Sequence, residues 1–293
     1  MMKYTRCLRQ LLSLTSICLT FISVARFAQA AERVVAGMDS IITRFELSDS
    51  PLGGIGGATM ADAVQKLQEV TGIPVCLEEI EYDGERDGLT LSTALQKLRE
   101  LQARNELSES DRARLERYEE LMHEVKDPDH HVVFMNVRTF KISESHVTLR
   151  ALLDHLIELD PDYTWQNDGN LTTPLIVVQP KAKSALDWTV PSICKSKESL
   201  RQLYGAGGSL TELLNQHKIS LMWVWIGRTT YPQQPNQEEL PTTSLDLCHE
   251  SLTARDVLML TVKALGPKFY WTLSGIKEMR FLQFESLRSS TNE

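Results

Sequence analysis

The chain has 293 residues and a formal net charge of −8, an acidic balance that repels phosphate backbones and anionic headgroups. No basic patch interleaved with aromatics offsets it, which argues against nucleic acid as a partner. With an N-terminal leader set aside, about 260 residues remain, enough to bury two modest cores.

Residues 1–30 read as a secretory signal. Lys3, Arg6 and Arg9 precede an apolar run from Leu11 to Val24, and Ala28-Gln29-Ala30 forms a cleavage site before Ala31. The run has 14 residues, whereas a membrane span needs roughly 18 to 20. Cleavage after Ala30 is expected, giving a periplasmic or secreted protein that does not span the membrane. It removes four basic residues (Lys3, Arg6, Arg9, Arg26) and no acidic one, so −8 becomes −12. Cys7 and Cys18 leave with the leader, while Cys76, Cys194 and Cys248 remain in a compartment that permits disulfides. Any single pair is open to them. Cys194 with Cys248 is preferred, because both fall late in the chain and Cys76 sits in an apolar strand as an ordinary buried thiol.

In chain order, Ile41 to Leu47 reads as a short strand and Ser48 to Thr59 as a loop carrying Gly53, Gly54, Gly56 and Gly57. Met60, Ala63, Val64, Leu67 and Val70 recur at the period of a half-buried helix, which Gly72 stops. Ile73 to Leu77 is then a strand with Pro74 at its start. The segment from about Asp83 to Asp129 breaks this pattern, being strongly charged and helical in character, with Ser108 as an N-cap. Leu91, Leu95, Leu98 and Leu101 are placed to face Leu115, Tyr118, Leu121 and Met122 in an antiparallel helical hairpin inserted between two strands.

After Asp127-Pro128 comes an apolar strand, Val132 to Val137, and then the string VTLRALLDHLIELDPDYTW from Val147 to Trp165. Thr148 caps a helix, Leu149, Leu152, Leu153, Leu156 and Ile157 form its buried stripe, and Asp160-Pro161 ends it. Tyr163 to Gln166 and Leu175 to Val178 form a hairpin about the turn Asn167 to Asn170. Gln179 to Ser184 reads as a polar linker. Beyond it lie a strand from Leu186 to Val190, a loop from Cys194 to Gly208, and a helix capped by Ser209. Leu221 to Ile226 follows, apolar on both faces and so either a central strand or an exposed, adhesive one. The earlier string then returns as LTARDVLMLTVKALGPKFYW from Leu252 to Trp271, with Thr253 for Thr148 and Trp271 for Trp165. Phe269 to Thr272 and Arg280 to Phe284 make its closing hairpin. Such self-similarity predicts two tandem units, 31–180 with its insertion at about 83–129, and 185–286. Each is expected to pack helices on one face of a short mixed sheet, an α+β class.

AVQKLQEVTGIPVCLE, followed by VTLRALLDHLIELDPDYTWQNDGN and LIVVQP, resembles the secretin and TonB N-terminal short domain. The second half is similar through SLTELLNQHKISLMW and LTARDVLMLTVKALGPKFYW. The resemblance implies a small periplasmic α/β module, found at the front of secretins and some TonB-dependent receptors. Against that pattern the charged insertion is a departure, and no barrel or receptor plug is expected after the repeats.

Chemistry is sparse. No Gly-x-Ser-x-Gly elbow and no His-Glu-x-x-His occurs, and the two glycine clusters lack the Lys-Ser/Thr of a phosphate-binding loop. Asp127, Asp129, His130 and His131 cluster, but adjacent histidines in a strand point to opposite faces, so a solvated turn is expected. Paired acids such as Glu78/Glu79 and Glu238/Glu239 read as surface. Trp165 and Trp271 are assigned to packing on the helix before each. Trp223 and Trp225 share one strand face and form the candidate interaction surface. The sequence thus predicts no catalytic residue, cofactor or metal. The expected function is a non-enzymatic periplasmic protein-interaction or scaffold module, its partner an envelope protein of a secretin- or TonB-type system. Alternatives are a cell-wall or small-ligand binder using exposed aromatics, and a hydrolase built around His130 or His131.

Overall fold

A computed structural model of the chain describes residues 37–50, 54–135, 137–191, 198–205, 208–225, 228–230, 244–245 and 252–287. The leader at 1–30, Cys194, Cys248 and Glu238/Glu239 lie outside them. The class is α+β.

The predicted first strand divides into β1 (Ile41–Ile42) and β2 (Phe45–Leu47). Helix α1 (Met60–Thr71) follows, and Thr59 and Asp62 form a reciprocal capping box that satisfies two of its free N–H groups. Gly72 ends it in the left-handed region at φ 68°, where a side chain is strained. Val70 departs from the predicted stripe at 38% exposure, and Thr71 takes the buried place, its hydroxyl donating to the Leu67 carbonyl at 2.7 Å. Strand β3 (Val75–Glu78) comes next, buried at every position.

The insertion is a helical hairpin. A ribbon of β4 (Gly88–Thr90) and β5 (Val132–Met135) closes its base, and α2 (Leu91–Ala103) and α3 (Glu109–Glu124) form its arms. Leu91, Leu95, Leu98, Leu115 and Tyr118 make a separate small core. Ser108 caps α3 as predicted, accepting from the Asp111 N–H at 3.1 Å. Met122, expected inside, is 36% exposed. The predicted strand at Val132 is real, but its partner is the hairpin base and not the main sheet.

After β6 (Ile142–Glu144), paired to β2, and β7 (Val147–Thr148), paired to β1, the repeated string forms α4 (Leu149–Leu159). Thr148 caps it, and Leu149, Leu152, Leu153 and Leu156 are buried. Strands β8 (Tyr163–Asn167) and β9 (Ile176–Pro180) are its hairpin. The connection is longer than the predicted turn and is pinned by Asn167 and Asn170, whose side chains accept from Gly169, Leu175, Thr172 and Thr173 N–H groups.

In the second half, Leu186 to Val190 is not a strand. Leu186 and Val190 are buried, and the segment hydrogen-bonds to Leu252, Ala254 and Arg255. The expected loop before Gly208 holds β10 (Glu198–Ser199) and the short helix α5 (Leu200–Tyr204). Helix α6 (Ser209–Gln216) begins one residue earlier than predicted, with Gly208 at the cap and no side-chain capping bond. Strands β11 (Ile219–Trp225), β12 (Arg228–Thr230) and β13 (Ser244–Leu245), helix α7 (Ala254–Leu265) and strands β14 (Phe269–Ile276) and β15 (Met279–Ser286) complete the chain.

Strands from both halves share one seven-stranded sheet in the order β12-β11-β15-β14-β3-β9-β8. In the first half β9 lies between its parallel partner β3 and its antiparallel partner β8; in the second, β15 lies likewise between β11 and β14. Where the halves meet, β14 runs parallel to β3, so the second trio points opposite to the first. Reversing strand direction while keeping strand order exchanges the faces of the sheet. The cores follow: Val75, Leu77, Ile176 and Val178 pack under α1 and α4, whereas Cys76, Leu175 and Val177 join Trp271, Leu273, Leu282 and Phe284 under α5, α6 and α7. Alternate residues of β3 and β9 therefore serve two cores, which is why β3 is apolar without a period of two.

Candidate interaction surface

Trp223 and Trp225 belong to β11, which is flanked by β12 and β15, with Trp223 in register with Thr230 and Phe284. This strand is interior to the sheet; the side chains of both tryptophans lie outside the described residues. Trp271 is fully buried. Trp165 is half-buried against the first core, and its Nε1 donates to Asp154 of α4 at 2.9 Å. Cys76 is a buried free thiol, and burial pushes it up to about 12, partly offset by the Trp271 backbone N–H. His130 is exposed and pairs with Asp127 at 3.1 Å, a contact that raises its pKa. Among the described residues no group of three His, Cys, Asp or Glu is placed to hold a metal ion, and no helix is long and apolar enough to cross a membrane.

The glycine loop before α1 is the socket of the hairpin. Arg114 of α3 donates to the carbonyls of Gly54, at 2.5 Å, and Ser50, and pairs with Asp111 at 3.1 Å. Asp111 accepts from the Gly56 N–H at 3.1 Å, and Ser50 Oγ accepts from the Gly54 N–H at 2.7 Å. Both N–H groups are thereby taken within the protein, so neither is available to a phosphate. Asp49 accepts from Ser50, from the Ser110 N–H at 3.2 Å and hydroxyl, and from the Ser108 hydroxyl at 2.6 Å. Burial raises its pKa, but these donors outweigh burial and hold the carboxyl below its usual value. Tied at its root, the hairpin presents a groove of about 460 Å³ lined by Leu95, Ala103 and Met122, with Gln96, Arg99 and Glu100 among its polar lining. Arg99 bonds Glu119 across the arms at 3.0 Å, and Gln96 bonds Glu100 at 2.9 Å.

A second polar cluster lies at the seam of β3 and β14. Glu78, predicted as surface, is wholly buried. Its carboxylate accepts from the Ser184 hydroxyl at 2.7 Å, the Ala185 N–H at 2.7 Å and Arg255 Nη2 at 3.2 Å, and Arg255 also reaches Asp187 at 3.0 Å. The predicted linker thus ends in a buried clasp at Ser184. Arg280, 2% exposed, donates from Nη2 to the Glu79 carbonyl at 2.5 Å. Among the described residues its Nε and Nη1 have no hydrogen-bond partner. Burial lowers the pKa of that guanidinium against the pull of Glu78, Glu81 and Glu79.

Neither cluster is visible in a motif, because their members are far apart in sequence. One signal was at hand for the seam: the acid Glu78 ends a strand whose three preceding residues, Val75 to Leu77, are too apolar for a half-exposed sheet. No family model, curated protein or solved structure matches the chain.

Proposed function

We propose that the chain is a non-enzymatic interaction module of the cell envelope, periplasmic or secreted, whose partner is an envelope protein of a secretin- or TonB-type system. The observation that carries this reading is the hairpin itself. Its arms have their own core and its root is fixed by Asp49, Asp111 and Arg114, so the groove beside Met122 keeps one shape without help from the sheet. A preformed apolar groove between two helices suits an apolar ridge of a partner. Resemblance to the secretin and TonB N-terminal short domain supports the same compartment and class, with Trp223 and Trp225 as a second contact.

Site-specific photo-crosslinking from position 122 in cells tests this. One envelope protein should be captured, and Ala103→Glu with Met122→Glu should abolish capture while leaving the far-ultraviolet spectrum and melting temperature unchanged. Capture that survives those changes but is lost in Trp223→Ala/Trp225→Ala would move the contact to the strand. No specific capture in any form would sink the module reading.

A further inference from the structure

The connection between β8 and β9 carries Asn170-Leu171-Thr172, the one Asn-x-Ser/Thr triplet in the chain. Residues 168–173 are exposed throughout, Leu171 at 58%. The loop closes tightly on itself, since a Cβ at Gly169 would lie 2.4 Å from the Thr173 carbonyl oxygen. Asn170 is held by nearly all of its polar atoms. Its N–H donates to the Thr173 carbonyl at 3.3 Å, and its carbonyl accepts from Asn167 Nδ2 at 3.2 Å. Its Oδ1 accepts from the Thr172 N–H at 2.9 Å, the Thr172 hydroxyl at 2.8 Å and the Thr173 N–H at 2.6 Å. Among the described residues no hydrogen bond takes Nδ2. The amide nitrogen is the one polar atom of this side chain that a pinned, solvent-facing loop leaves free.

We propose that Asn170 is a glycosylation acceptor, modified at Nδ2 as the chain is exported. This rests on the envelope reading above, because only an exported chain meets a lipid-linked sugar donor. The co-reactant is an oligosaccharide carried on a polyprenyl diphosphate. Nδ2 attacks the anomeric carbon of its first sugar, and the new N–C bond forms as the C–O bond to the diphosphate breaks. One proton passes from Nδ2 to a base of the transferase, and the polyprenyl diphosphate departs with the bonding pair. No atom is oxidised or reduced, and the chain itself needs only to present the amide.

The contacts around Asn170 suit that step. Hydrogen bonds to Oδ1, the Thr172 hydroxyl's among them, draw electron density from the amide and ease proton loss at Nδ2. Asp168 places a carboxylate just ahead of the triplet, a charge that a transferase can read. In the folded protein Lys263 of α7 holds it at 2.6 Å. That contact requires the second half of the chain, so Asp168 is free while the first half is still crossing the membrane. Once the protein has folded, a sugar on Nδ2 breaks no hydrogen bond among the described residues. The exposed Leu171 side chain offers its C–H face an apolar surface to cover.

Peptide mass mapping of the full chain purified from its own cells tests the site. The peptide containing Asn170 should carry the added mass of an oligosaccharide, and an amidase that cleaves the Asn–sugar bond should remove it. Thr172→Ala should lose the added mass, whereas Thr172→Ser, which restores the hydroxyl, should keep it; an added mass that survives in both overturns the proposal. Should Thr172→Ala fail to accumulate, fragmentation of the wild-type peptide decides: sugar on Asn170 supports the acceptor, and sugar on the Thr172 or Thr173 hydroxyl overturns it. A bare Asn170 in protein that begins at Ala31 overturns the acceptor and leaves the envelope reading standing. A bare Asn170 behind an intact leader overturns both.

Discussion

The seam at Glu78 and the root of the hairpin at Asp49 are both built from acids, serines and arginines, yet they join different parts of the molecule. At the seam, Glu78 has no exposed surface, and its partners lie 106 and 177 residues further along the chain. At the root, Asp111 is as deeply buried and Arg114 is as exposed, at 15%, as Glu78 and Arg255 are at the seam, but Arg114 reaches only 60 residues back, to a glycine loop. The seam lies where strands of the two large cores pair, whereas the root ties one helical hairpin with its own small core to a loop. The contrast teaches that the seam should control the whole fold and the root should control one appendage.

The largest effect that would sharpen this contrast is expected from Glu78→Ala, which leaves Arg255 with Asp187 alone and empties a site between two cores. A loss of about 3–5 kcal/mol is predicted, read as a lower urea midpoint for the entire molecule. Next comes Arg114→Ala, with a loss of about 1–3 kcal/mol confined to the hairpin. Exchange protection at Leu95 and Leu98 should fall while Val75 to Leu77 keep theirs; equal loss in both places would break the distinction between core and appendage. Smallest are the caps of the two repeated helices. Thr253→Ala removes a reciprocal box with Asp256, whereas Thr148→Ala removes a single bond from Ala151. Each should cost about 1 kcal/mol in thermal unfolding, the former more. An opposite ranking would show that tertiary packing, not capping, holds these termini.

Much of the fold was legible because it is local. Thr148 and Thr253 before leucine-rich stripes, Gly72 after α1, and Ser108 before Glu109 are start and stop signals that depend on the neighbouring turn alone. Errors arose where tertiary partners outvoted local pattern. Ser209 has a capping residue's chemistry but lies inside α6, its hydroxyl buried and without a hydrogen-bond partner among the described residues. Leu186 and Val190 alternate like a strand, yet they anchor an irregular segment to the start of α7. The hairpin facing was mostly correct, but Leu101 is drawn to the glycine loop, where its Cδ1 lies 3.2 Å from the place a Gly56 Cβ would occupy. Met122 was thereby left to the groove. Of the proposed surface, Trp223 and Trp225 are an expectation from apolar spacing in one strand, while the groove needed two helices to be brought together.

The sequence by itself determined the α+β class, the helix that follows each threonine cap, the hairpin insertion and the burial of Cys76. These follow from periodicity and capping, which act over a few residues. Only the tertiary structure decided that β14 meets β3, because a parallel pairing between strands nearly two hundred residues apart leaves no mark in local spacing. That single pairing reverses the second half against the first and puts its helices on the opposite face. It also buries Glu78 and carries Arg280 to Glu79, so the most consequential charges in the molecule are set by a contact that neither half encodes alone.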